Sequence, residues 1–305
     1  MRRFIAFALL TLAACKGGGD ETVKPPFEGA RPVTRHSSKW IAKTLEYRPA
    51  PGQFINTTCG VPEAAQRLVG GSDGMLSLGG FGGYVVFMFD HTVLNGDGPD
   101  FVVHGNSFDN SSEPGIVRVS FDDNGNGLPD DAWYELVGAD HALATTVQRY
   151  HIIYSRPSQT ASAEAVAWTD NNGAGEISAV NAHTQSYWPS FVDGVTADGA
   201  TLSFAGTRLC GLTLQDSNGQ WSCRTAGRGY VDNFSDDYSV AVGDDPDTRW
   251  SNKFDISDAV DAYGRPVALQ GVDFIMVYTA VNEQMGELGE ASTEVRGAIS
   301  LTVRP

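Results

Sequence analysis

Apolar residues in this chain come in runs of about five to seven, divided by glycine, asparagine, aspartate and proline, and such spacing specifies short strands and turns rather than helices. Tyr84 to Phe89, Asp100 to His104, Gly115 to Phe121, Trp133 to Val137, Arg149 to Tyr154, Val272 to Tyr278 and Gly297 to Val303 either alternate or run β-branched. Only Pro62 to Val69 and Ile256 to Ala262 read as helical, and both are short. Many strands without long intervening helices predict an all-β fold, a β-sandwich with long loops and two short helices. Residues 157–250 are rich in Gly, Asp, Asn, Ser and Thr. The strands on either side of them are too few to close separate cores, so the expectation is one sandwich domain over 39–305 with a loop-rich elaboration at 157–250.

The first residues set a compartment. Arg2 and Arg3 precede the apolar run Phe4 to Leu12, and small residues lead into Cys15. That is the form of a secretory signal over 1–14, and its end resembles a bacterial lipobox, which makes Cys15 the lipidated first residue of the mature chain. The apolar run is shorter than the roughly 20 residues of a spanning helix. Residues 15–38 then read as a lipidated flexible tether, and the expected location is the outer membrane or cell surface. Of the remaining cysteines, Cys210 and Cys223 flank the turn-rich segment Gln215 to Gln220, a spacing that predicts a disulfide pinning a hairpin in an oxidising compartment. Cys59 is left as a small buried apolar residue.

Charge excludes some partners. The formal net charge of -16 becomes -18 without Arg2 and Arg3. Such an acidic chain argues against nucleic acid and against docking on anionic lipid.

One loop points to a ligand. Asp122-Asp123-Asn124-Gly125-Asn126-Gly127-Leu128-Pro129-Asp130-Asp131 lies between two expected strands. Against the calcium loop of an EF-hand, Asp122, Asn124 and Asn126 take positions 1, 3 and 5, Gly127 takes 6, the Leu128 carbonyl 7 and Asp130 9. Position 12 is Trp133 instead of glutamate, so Asp131 or another carboxylate such as Glu135 must complete the shell. Calcium, as a structural ion of about 0.1 to 1 mM affinity, competes here with a plain hairpin turn, since turns favour the same residues.

Catalytic patterns are weaker. Gly70-Gly71-Ser72-Asp73-Gly74 matches G-x-S-x-G, but a nucleophile elbow needs a strand before the serine and a helix after it. The histidines show no zinc-ligand spacing. Asp236, Asp237, Asp244, Asp245, Glu287, Glu290 and Glu294 could supply a glycosidase pair, yet a solvated acidic face explains them as well. No catalytic residues are assigned. Trp168, Tyr187, Trp188, Trp221 and Trp250 are candidates for stacking on a flat or sugar-like ligand, with core filling as the alternative.

The segments Tyr47 to Asn56, Ser77-Leu78-Gly79-Gly80-Phe81-Gly82-Gly83-Tyr84, Ser112-Glu113-Pro114-Gly115-Ile116-Val117 and the acidic loop through Trp133-Tyr134-Glu135-Leu136 carry a resemblance. Together with Phe254 to Asp261 and Gly289 to Val295, they resemble a family of Bacteroidetes-type cell-surface lipoproteins of undefined activity. The resemblance implies a jelly-roll sandwich and, through relatives linked to TonB-dependent transporters, capture of a nutrient such as a carbohydrate or a corrinoid. The expected function is therefore a calcium-stabilised surface binding module. A glycan hydrolase and a structural or adhesive surface protein are the alternatives.

Overall fold

The computed structural model describes residues 24–303. The signal segment and the lipidation candidate Cys15 lie outside the described residues. All named strand pairs are antiparallel. A six-stranded sheet runs in the order Lys43–Arg48, Tyr84–Leu94, Gly271–Thr279, Gly115–Ser120, Trp133–Leu136, Ala259–Val260. A three-stranded sheet pairs Phe101–His104 with Asn252–Phe254 and Gly297–Ser300. A four-stranded sheet has the order Thr201–Arg208, Val147–Ser155, Val166–Asp170, Ala174–Ile177. The result is an all-β sandwich.

Side-chain alternation gives the large sheet two buried faces. Val85, Val277 and Val117 lie side by side, as do Phe87, Ile275 and Val119. These residues pack in one core with Phe101, Val103, Phe254 and Ala298 of the three-stranded sheet. The neighbours that point the other way, Ile116 and Tyr278, enter a second core with Tyr150, Ile152, Tyr154, Leu202 and Phe204 of the four-stranded sheet. A strand buried on both faces needs an apolar run instead of strict alternation, as Gly271–Thr279 shows.

Glycine makes the second contact possible. Gly82 has φ +84°, and a Cβ there would lie 2.2 Å from the Phe204 Cβ. The glycine run before Tyr84 thus lets the chain pass directly beneath the four-stranded sheet.

Four expectations need correction. Helix forms only over Pro62–Gln66 and not to Val69. The second expected helix is a 3-10 turn, Ile256–Asp258, where the Asp255 side chain caps Ser257 N; Ala259 is already extended, and Val260 pairs with Glu135 at the sheet edge. The segment 15–38 is not a free tether throughout. Ala30 is buried, Phe27 meets the Phe121 ring at 5.4 Å, and Arg31 pairs with buried Asp273 at 3.0 Å. Finally, Cys210 and Cys223 are both free, as is Cys59, which is half-buried. The expected hairpin does form, but its register sets Thr213 opposite Cys223. Cys210 is three residues further on (213 - 210 = 3).

Candidate functional site

The two-faced sheet leaves a cleft of about 330 Å³ where its far end meets the four-stranded sheet. Alternation decides which residues line it. In Gly115–Ser120, Val117 and Val119 face the first core, so Arg118 faces the cleft; its cross-strand partner Glu135 points the same way. Opposite them, the pairing of Thr201–Arg208 with Val147–Ser155 slips between Gly206 and Arg208, and the bulge turns Gln148 and Arg149 into the cleft. Arg149 takes φ +54° there, a conformation a long side chain adopts only where its surroundings impose it. Trp133, His141 and Asp261 complete the polar lining.

A network fixes the floor. Tyr278 Oη donates to Glu135 Oε2 at 2.9 Å and accepts from Thr207 N at 2.9 Å. Arg118 lies 3.4 Å from the same carboxylate oxygen and 4.9 Å from the Tyr278 ring centroid, while His141 Nδ1 approaches Glu135 Oε1 at 3.6 Å. Burial first, then the Glu135 charge, push the Tyr278 hydroxyl well above its ordinary pKa, so it stays a donor. Gly206 permits this approach, since a Cβ there would lie 2.7 Å from Tyr278 Oη.

The acidic loop joins the two strands that carry Arg118 and Glu135. Asp122 accepts from Asn126 N at 3.0 Å and Gly127 N at 2.9 Å; Asn124 Oδ1 accepts from Asn126 N, and Asn126 Oδ1 from Leu128 N. The amides of Asn124 and Asn126 reach Asp130 at 3.1 Å each, and Asn124 also reaches Asp131 at 3.3 Å. Asp122, Asn124, Asn126, Asp130 and Asp131 are thus gathered in one loop, together with the Leu128 backbone. Desolvation and then Asp130, Asp123 and Asp122 raise the Asp131 pKa, and its Oδ2 has no hydrogen-bond partner. Asp122, Asp130 and Asp131 do not bring their oxygens within 4.8 Å of one another, a spacing met among the described residues by Glu113, Asp232 and Glu294, so a hard cation in this loop would have to draw its carboxylates together. Trp133 Nε1 donates to Pro129 O at 3.3 Å, tying the loop to the cleft.

A second acidic cluster lies inside the protein. Glu113, Asp232 and Glu294 each offer an oxygen within 4.8 Å of the others. Among the described residues no lysine or arginine forms an ion pair with them. Burial, and for the glutamates then the neighbouring carboxylates, push Glu113 up to about 8, Asp232 to about 7, and Glu294 well above its ordinary value. Asp232 accepts from Asn106 N at 2.7 Å and Glu294 N at 3.0 Å. Shared protons or a bound cation would neutralise such a cluster.

The five aromatic candidates do not share a pocket; two of them fill the core, the alternative that the sequence left open. Tyr187 and Trp188 are buried in the second core, Trp188 Nε1 donating to Val195 O. Trp168 lines a small cavity of about 100 Å³, and Trp221 packs against Gly286. Trp250 alone stands out, 56% exposed, beside another cavity. In this loop-rich segment the rings fill the second core alongside the segment's own aliphatic residues, among them Val166, Ile177, Val192, Val195, Leu202 and Leu209. The acidic candidates for a glycosidase pair also scatter: Asp236 pairs with Arg228 at the surface, Asp245 with Lys39, and Glu290 is buried against Gln53 N.

Sequence reading missed Arg118, His141, Arg149 and Tyr278. The alternation around Arg118, a charge inside an otherwise apolar strand, was the available signal.

No protein-family model matches the chain, and no curated protein is similar enough to match it. Among the described residues no helix is long and apolar enough to cross a membrane.

Proposed function

We propose that this is an exported, lipid-anchored binding module, attached through Cys15 at the outer membrane or cell surface, that captures a hydroxyl-rich nutrient in the intersheet cleft. The observation that carries the reading is the convergence of Arg118, Glu135, His141, Arg149, Gln148 and Trp133 on one cleft of about 330 Å³. That volume lies near the lower end of the roughly 300 to 1,000 Å³ of small-molecule sites, which suits one or two sugar rings. Charged donors, a carboxylate acceptor and an indole are what a polyhydroxylated ring requires. Glu135 is held by Tyr278 and Arg118, an arrangement suited to a fixed acceptor more than to a proton carrier, and this favours binding over glycan hydrolysis.

Calcium in the loop 122–131 is part of the proposal, because the loop closes the hairpin that supplies Arg118, Trp133 and Glu135. A TonB-dependent transporter would be the acceptor of the captured ligand. The test is a calorimetric screen of the unlipidated Cys15→Ser protein against neutral oligosaccharides and cobalamin, with calcium and with chelator. A neutral sugar should bind, and Trp133→Ala should weaken it by about tenfold. Cobalamin binding with no sugar binding would place the ligand among the corrinoids, and no binding by any of them would leave a structural surface protein.

A further inference from the structure

A second cavity, about 450 Å³, shares no lining residue with the cleft. It forms where strand Phe101–His104 ends against the turn that carries Arg249 and Trp250, with Arg296 across from them. Its charge is opposite to that of the protein. The chain carries a formal charge of -16, yet among the described residues neither Arg249 nor Arg296 is ion-paired. The one carboxylate in the lining, Asp247, is already bound to Lys39 at 2.8 Å. Arg296 Nε donates to Gly74 O at 3.4 Å, which fixes the guanidinium plane while leaving its terminal nitrogens unengaged by any carboxylate.

His104 forms part of the cavity wall. It is 6% exposed and lines the cavity. Its Nδ1 lies 3.3 Å from the Trp250 carbonyl oxygen, which can only accept, so Nδ1 carries the proton. Nε2 is then a lone pair, and it has no hydrogen-bond partner. Burial first, then Arg296 and Lys253, lower the His104 pKa despite that hydrogen bond, so the ring stays neutral and Nε2 remains an acceptor. Nε2 itself is closed off from the cavity, so His104 contributes a neutral ring to the wall and adds no charge to that of Arg249 and Arg296.

Trp250 gives the third contact. It is exposed, set edge-on to Tyr238 at 6.0 Å, and held at φ +55°. A bulky side chain in that conformation costs stability.

The geometry points to a binding site for a carboxylate-bearing, hydroxylated ring, the chemistry of a uronic acid. Arg249 and Arg296 take the carboxylate, Ser72 and Asn106 in the lining offer polar groups to ring hydroxyls, and the Trp250 face covers the C–H face of the sugar. A neutral sugar lacks the charge, and inorganic phosphate lacks the ring. The site stands independently of the cleft and of calcium.

Calorimetric titration of the Cys15→Ser protein with glucuronate, glucose and phosphate tests it. Glucuronate should bind at least about tenfold more tightly than either comparison ligand, since one charge-assisted hydrogen bond is worth that much. Arg296→Gln and Trp250→Gly should each weaken glucuronate by about tenfold or more. Trp250→Gly also relieves the left-handed backbone, so its melting temperature should hold or rise, which separates lost binding from lost folding. No glucuronate binding, binding no tighter than glucose or than phosphate, or unchanged affinity in Arg296→Gln and Trp250→Gly would each overturn the assignment.

Discussion

Asp122→Ala in the acidic loop separates a cation site from a turn. In the absence of metal, Asp122 accepts from Asn126 N at 3.0 Å and Gly127 N at 2.9 Å. The loop is exposed, so both donors can turn to water, and their loss should cost about 1 to 2 kcal/mol in chelator. Calcium adds a separate term. With a dissociation constant of about 0.1 to 1 mM and about 10 mM free calcium, binding to the native state alone stabilises by about 1.4 to 2.7 kcal/mol. The variant lacks the first ligand and gains none of this. The gap between wild type and variant should therefore widen from about 1 to 2 kcal/mol in chelator to about 2.4 to 4.7 kcal/mol in calcium. Urea unfolding followed by tryptophan fluorescence measures both gaps. Magnesium at equal concentration controls for screening of the -16 charge. The reasoning fails if the wild-type midpoint is the same in chelator and calcium, if magnesium moves it equally, or if the gap does not widen.

Two further outcomes follow from the core. Glu113, Asp232 and Glu290 have folded pKa values of about 8, 7 and 8, raised above their ordinary 4.5, 3.8 and 4.5. The native state therefore holds protons that the unfolded chain releases; the stability they confer is complete below the ordinary carboxylate values and is lost as pH rises toward 8. His91 and His104, both lowered, act in the opposite sense only near and below their ordinary 6.5, so the urea midpoint should fall between about pH 6.5 and 8. A midpoint that stays flat or rises over that range contradicts a proton-neutralised cluster. For packing, Gly82→Ala adds a Cβ 2.2 Å from the Phe204 Cβ at φ +84°, whereas Gly125→Ala at φ +70° meets nothing within 4 Å. The first should cost about 2 to 5 kcal/mol and the second about 1 kcal/mol, and equal losses in urea unfolding would refute the close-approach role of Gly82.

What was legible in the sequence is what local periodicity encodes. The run Gly115 to Phe121 announced both a strand and its two faces, and the structure ends that strand at Ser120. The Asn-Gly and Asp-rich loop was legible because its side chains are neighbours in sequence. The cleft was not, because Arg118, Arg149, His141 and Tyr278 come from four separate elements whose meeting depends on a bulge and on Gly206. Counting tryptophans misled for a related reason. A ring's role depends on whether its loop folds inward, as Trp188 does, or is left outside by an Asp-Asp-Pro-Asp turn, as Trp250 is. Cys210 and Cys223 stand free although the hairpin between them forms, since spacing along the chain does not fix which residue lies opposite Cys223.

One hairpin bears both halves of the proposed function, and this makes them physically inseparable. Val117, Val119 and Leu136 anchor it in the first core, while Arg118 and Glu135 present its other face to the cleft. Its connecting loop holds the carboxylates, and Trp133 reaches back to Pro129 from the cleft wall. The edge strand beyond Glu135 is only Ala259–Val260, so little else restrains that side of the sheet. A cation that gathers Asp122, Asp130 and Asp131 would remove the freedom of the loop before a ligand arrives, and the ligand would then lose less entropy on binding. The same coupling must run in reverse, with an occupied cleft tightening the loop around its cation by an equal factor.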